Sequence, residues 1–179
     1  GADYAIQADV RDESQIKAMC DKIKSKHGGI DILVSNANMN FTTKPFTEQT
    51  WSEFSQKLND EMRASYLCAQ HAAVSMIEKK FSRLIFISST LSESPLPGFI
   101  AHGSAKGALD SFSKYLSQEL GVHGITSNII APGLVLTDAT SEAPEEFKAF
   151  IRSITPTQTI SNPEDVANVV SFIAREESG

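Results

Sequence analysis

Three short runs constrain this chain more than any other feature: IDILVSNA at 30–37, RLIFISST at 83–90 and ITSNIIAPG at 125–133. Each is largely apolar and turns polar or small toward its end. Runs of this kind suit strands of a parallel sheet buried on both faces, where no alternation with polar residues is needed. The segments between them carry a different period. Phe54, Leu58, Met62, Ala69, Ala73 and Met76 fall on helical three- and four-residue spacing, as do Ala105, Leu109, Phe112, Leu116 and Leu120. Strands alternating with amphipathic helices predict an α/β fold, a parallel sheet with flanking helices, and argue against a helical bundle.

Local signals set the expected boundaries. Tyr4–Val10 reads as a first strand; Asp12, Glu13 and Ser14 then open a helix through Cys20 and Ile23, which HGGI at 27–30 ends. A long helix is predicted from Thr50 to Glu78, with Glu53, Lys57 and Asp60 on its polar side. Pro95 and Pro97 lack backbone donors and place LSESPLPGFI in a loop. The next helix is expected from His102 to Leu120 with Gly121 as its C-cap, and Ser161 with Glu164 is spaced as a capping box for the last helix. No composition break divides residues 1–179, which predicts a single domain.

Charge and composition narrow the function classes. Sixteen basic against twenty-two acidic side chains give a net charge of −6, which disfavours a broad nucleic-acid surface. The basic clusters at Lys22–His27 and Lys79–Arg83 read as solvated helix ends. Cys20 and Cys68 form neither a CxxC pair nor a disulfide framework, which favours a reducing compartment. No apolar run reaches the roughly 18 residues that span a bilayer, and no signal-like start is present, so a cytoplasmic location without membrane partners is expected.

In a parallel sheet the polar strand ends, SNAN, SST and APG, lie on one side, where a cleft forms. Ser89 lies thirteen positions before His102, and His102 lies four before Lys106, which puts the last two on one helix face. From spacing alone, Ser89 caps a strand end, His102 starts a helix and Lys106 extends to solvent.

Taken in order, QADVRDE, DILVSNA, RLIFISST, HGSAKGALDSFSKYLSQEL, GITSNIIAPGLVLTD and NPEDVANVVSFIA resemble the central and later parts of the short-chain dehydrogenase/reductase family, from Tyr4 to Ala174. The resemblance implies a Rossmann-like fold and hydride exchange between NAD or NADP and a small-molecule carbonyl or alcohol substrate. It implies that Ser89 holds the substrate oxygen and that Lys106 holds the nicotinamide ribose and tunes the acid/base residue. Asp9 and Val10 match the adenine pocket. Asn36 and Ala37 match the middle of the family's Asn-Asn-Ala-Gly segment, with Ser35 and Asn38 at its outer positions and Asn38 also implied to line the cofactor, and Pro132, Gly133 and Thr137 match residues beside the nicotinamide. The family's habit of dimers and tetramers implies a homodimer or homotetramer, built on the 50–78 and 102–120 helices.

Four departures qualify that resemblance. His102 stands where the family has its catalytic tyrosine; its neutral imidazole can still accept or donate a proton, and Lys106 is expected to favour that neutral form. Asn38 replaces a glycine. Glu61 matches the position of a catalytic asparagine, although Asn59 is near enough for a shifted register. A glycine-rich phosphate turn and a last strand are not found, so the sheet is expected to be incomplete or reorganised and the chain to be part of a longer one. Two readings follow: an oxidoreductase in its complete form, with Ser89, His102 and Lys106 as catalytic residues, or a noncatalytic binding or assembly protein on the same scaffold.

Overall fold

The computed structural model describes residues 3–79 and 81–178. Lys80 in the second basic cluster and Gly179 lie outside the described residues. Three parallel strands, β1 (Ile32–Ser35), β2 (Ser82–Ile87) and β3 (Ile125–Ile130), form one sheet in the order β1-β2-β3. Leu33 stands opposite Leu84, and Phe86 opposite Ile129. The helices are α1 (Glu13–His27), α2 (Trp51–Met76), α3 (Ile100–Leu120), α4 (Asp138–Ser141), α5 (Glu145–Ile154) and α6 (Pro163–Ile173). Each parallel crossover runs through a helix, α2 between β1 and β2 and α3 between β2 and β3, as parallel pairing requires.

The apolar faces read from periodicity meet in the core. Ala69, Ala72 and Met76 of α2 and Leu109 of α3 pack with Leu84, Phe86 and Ile125 of the sheet. Small residues on α2 let that helix lie close to the strands. A capping box of Thr50 and Glu53 starts α2, and Asp12 caps α1 by accepting from the Ser14 and Gln15 amides. Gly28, in the left-handed conformation, ends α1 as HGGI predicts.

Four expectations are corrected. Residues 4–10 form no strand: among the described residues none pairs with them, and strand propensity without a ladder partner cannot hold extended backbone in a sheet. Arg11 instead ties this segment down, its guanidinium bonded to Asp9 and Asp60, while Arg63 donates to the Arg11 carbonyl at 2.7 Å. Gly121 is the C-cap of α3 as expected, in right-handed conformation, and leads into a short 3-10 turn that ends at Gly124, where φ is 73°. The last capping box is Asn162 with Asp165, one residue beyond the expected pair, because the Ser161 backbone bridges to Val135. Arg83 is not at a solvated helix end: it lies buried in β2, stacked on Phe81 and donating to the Ser82 and Arg175 carbonyls. Finally, Lys57 is 1% exposed rather than on a polar face.

Among the described residues no helix is long and apolar enough to cross a membrane, and no cluster of three metal-ligating side chains occurs.

Candidate functional site

Because the strands are parallel, the loops after β1, β2 and β3 open on the same side of the sheet. The second and third are joined by backbone bonds, Ser88 N–H to the Ile130 carbonyl at 2.7 Å and Thr90 N–H to the Pro132 carbonyl at 3.0 Å. Ser89 caps the tight turn Thr90–Ser92, its Oγ accepting from the Leu91 amide at 3.2 Å. The start of α3 packs directly on this turn. A side chain at Gly103 would put its Cβ 2.7 Å from the Leu91 carbonyl oxygen, so only glycine permits the approach. Gly103→Ala is therefore expected to lower stability by about 1–3 kcal/mol, read from urea unfolding; an unchanged midpoint would contradict the close fit.

That packing brings the predicted residues together. His102 is 8% exposed and its ring stacks on Phe41, with centroids 4.5 Å apart and planes at 28°. One helical turn later, Lys106 is 4% exposed and does not extend to solvent. Its ammonium donates to the Ile87 carbonyl at 2.8 Å, two residues before Ser89, and to Glu61 Oε1 at 2.5 Å.

Glu61, 2% exposed on α2, is shared by a second ammonium. Lys57 Nζ donates to Glu61 Oε2, Asn38 Oδ1 and the Met39 carbonyl, each at 2.7 Å. The Met39 amide also donates to Glu61 Oε2, at 3.3 Å. Burial opposes ionisation of Glu61, but Lys106 and Lys57 outweigh it and hold the carboxyl below its ordinary range. Lys57 and Glu61 are the residues that sequence reasoning underweighted; their four-residue spacing is the signal of an ion pair, but the same spacing is common on solvated helix faces.

His102 Nδ1 and Ser88 Oγ are buried without hydrogen-bond partners. Burial first, then the Lys57 and Lys106 ammoniums, push His102 down to about 4, with Glu61 acting in the other direction. The unfolded chain therefore takes up a proton near pH 6.5 that the folded chain refuses until about pH 4, so stability falls as pH drops through that window. The expected loss is about 3 kcal/mol. Urea unfolding at pH 7 and 4.5 should show most of it in the parent chain and much less in His102→Gln; equal losses would sink the assignment.

The remaining candidates surround this centre. Asn36 and Ala37 follow β1, whereas the Asn38 side chain is turned to Lys57. Asp9 is exposed, and its hydrogen bonds with Arg11 hold its carboxyl at about 2; Val10 packs against the small apolar cluster of Ile16, Leu67 and Cys68. Pro132 and Gly133 lie in the loop after β3, and Thr137 caps α4 and lines a cavity of about 520 Å³ with Leu136 and Pro163. The donor set suits the nicotinamide end of a dinucleotide. Lys106 has a third N–H beyond its two bonds, and a Cβ at Gly133 would meet only Thr90 Oγ1, at 3.9 Å.

Fold and site define an α/β protein with a serine, a buried imidazole and a buried lysine gathered at the C-terminal end of a parallel sheet. Residues 1–179 match the family described as enoyl-(acyl carrier protein) reductase, and the chain belongs to the short-chain dehydrogenase/reductase family of oxidoreductases. It is 32% identical over 173 residues to 3-oxoacyl-(acyl-carrier-protein) reductase FabG of Haemophilus influenzae, covering 95% of this chain and 70% of that protein. It is likewise 32% identical to the (2S)-[(R)-hydroxy(phenyl)methyl]succinyl-CoA dehydrogenase subunit BbsD of Thauera aromatica, covering 96% and 68%. Among solved structures, ElxO with NADP bound is similar at a TM-score of 0.90 and 30% identity, covering 96% of this chain and 71% of that one.

Proposed function

We propose that the chain serves NAD(P)-dependent reduction of a small-molecule carbonyl or oxidation of the matching alcohol, with Ser89, His102 and Lys106 as its catalytic residues. The observation that carries this reading is the grip of Lys106 on the Ile87 carbonyl, which sets the His102 turn of α3 beside the Ser89 strand end. Support also comes from relatives named as reductases and a dehydrogenase, and from the NADP-bound neighbour.

Bound dinucleotide supplies the hydride chemistry. Lys106 would hold the nicotinamide ribose with its third N–H, with Pro132, Gly133 and Thr137 beside the nicotinamide. Asn36 and Ala37, with the Asn38 backbone, would line the cofactor, and Asp9 and Val10 would border the adenine. Ser89 Oγ accepts from Leu91, which leaves its O–H free to donate to the substrate oxygen. His102 gives or takes the proton at that oxygen.

The depressed basicity of His102 fixes the sign of the pH dependence. Carbonyl reduction needs the imidazolium, so its rate is expected to rise as pH falls from 7 toward 4, by roughly tenfold per pH unit. Alcohol oxidation needs the neutral ring and levels off above about 4. Cofactor oxidation followed with a panel of small ketones across this range tests the reading. Failure to bind either NAD or NADP, or turnover that survives Lys106→Ala unchanged, would overturn it.

A cytoplasmic setting and a homodimer or homotetramer belong to the same proposal. Tyr66 and Val74 on α2 and Tyr115 on α3 are exposed and available to a second copy, which light scattering would detect.

A further inference from the structure

We propose that Lys57 is a positioning residue of this site: from α2 it holds the Glu61 carboxylate against Lys106 and ties the Asn38–Met39 segment to the same point. The inference rests on Ser89, His102 and Lys106 being the working centre. An ammonium has three N–H donors, and Lys57 places all three, on Glu61, Asn38 and the Met39 carbonyl. Full satisfaction of its donors is what lets a lysine be buried here. Glu61 uses its other oxygen for Lys106, and Lys106 reaches the Ile87 carbonyl.

One unbroken series of contacts therefore joins the loop after β1, the middle of α2, the first turns of α3 and the end of β2. Lys57 also lies 5.3 Å from the centre of the Phe41 ring, the same ring that stacks on His102. The tie thus reaches the imidazole through its stacking partner as well as through its charge.

The charged groups acting on His102 are Lys57 and Glu61 from α2 and Lys106 from its own helix. Phe41 meets it as an uncharged ring, and the Thr90–Ser92 turn packed on α3 carries no titratable side chain. Glu61 is shared between two cations, so the centre holds two ammoniums and one carboxylate. Removing Lys57 and neutralising Glu61 must then move His102 in opposite directions, a pattern that a role confined to packing does not produce.

The experiment is a histidine-detected NMR titration of the 15N-labelled full chain without cofactor. Lys57→Met should bring His102 protonation closer to its ordinary value of about 6.5, and should speed exchange of the Met39 amide at least tenfold. Glu61→Gln should leave His102 neutral at pH 4, where the parent is near half-protonated. Shifts in the same direction, or none, would overturn the proposal. Should either variant fail to fold, the parent labelled at lysine decides: the Lys57 ammonium protons should exchange far more slowly than those of exposed Lys17, and equal exchange refutes the tie. Loss of cofactor binding with the titrations as expected would refute the functional reading alone.

Discussion

His102→Tyr is expected to raise the carbonyl-reduction rate at pH 7 by about 100-fold. With His102 titrating at about 4, only about one imidazole in a thousand carries the acidic proton at neutral pH. A phenol, whose ordinary pKa is about 10, is an almost fully populated donor at that pH, and the Lys57 and Lys106 ammoniums would bring its pKa down toward the working range. Part of the gain in population is offset because phenol is the weaker acid, which is why the expected factor lies below the ratio of populations. The longer side chain must also displace Phe41, now stacked on the imidazole. Steady-state cofactor oxidation with parent and variant, at matched cofactor saturation, is the measurement. A rate equal to or below the parent's, with cofactor binding intact, would show that His102 is not the proton-transferring group.

Glu61→Leu is expected to cost about 3–5 kcal/mol, a large share of the roughly 5–15 kcal/mol by which a domain is stable. The cost does not measure the strength of an ion pair. It arises because the substitution leaves Lys57 and Lys106 buried without their shared carboxylate. Lys57→Met/Glu61→Leu should therefore be more stable than Glu61→Leu alone, since it removes one of the stranded cations. Urea unfolding of the parent, both singles and the double gives the coupling directly. Strict additivity, or a loss below about 1 kcal/mol for Glu61→Leu, would mean that the cluster is hydrated and not a buried network.

The sheet was legible because its signals are local. Unbroken apolar runs mark β1, β2 and β3, and three- and four-residue spacing marks α2 and α3, whose apolar stripes meet those strands in the core. The resemblance of the ordered motifs likewise placed Ser89, His102 and Lys106 together. Residues 4–10 misled because extended propensity is local while a ladder partner is not. Ser161 misled by one residue because cap geometry depends on where the chain goes next.

Lys57 shows where such reading stops. Charge on a helix is ordinarily a sign of solvent, and no pattern within α2 distinguishes a solvated lysine from a buried one. Apolar spacing and residue order were enough for the α/β architecture and the order of its elements, whereas the match of His102 to the family's tyrosine is what the resemblance implies. The state of that histidine needed the fold: Asn38, Met39, Lys57, Glu61 and Lys106 come from three separate segments, and their charges and donors act on one another only once α2 and α3 lie together beside β2. Electrostatic and hydrogen-bond energies depend on distance and burial, and neither is written in the spacing of residues along the chain.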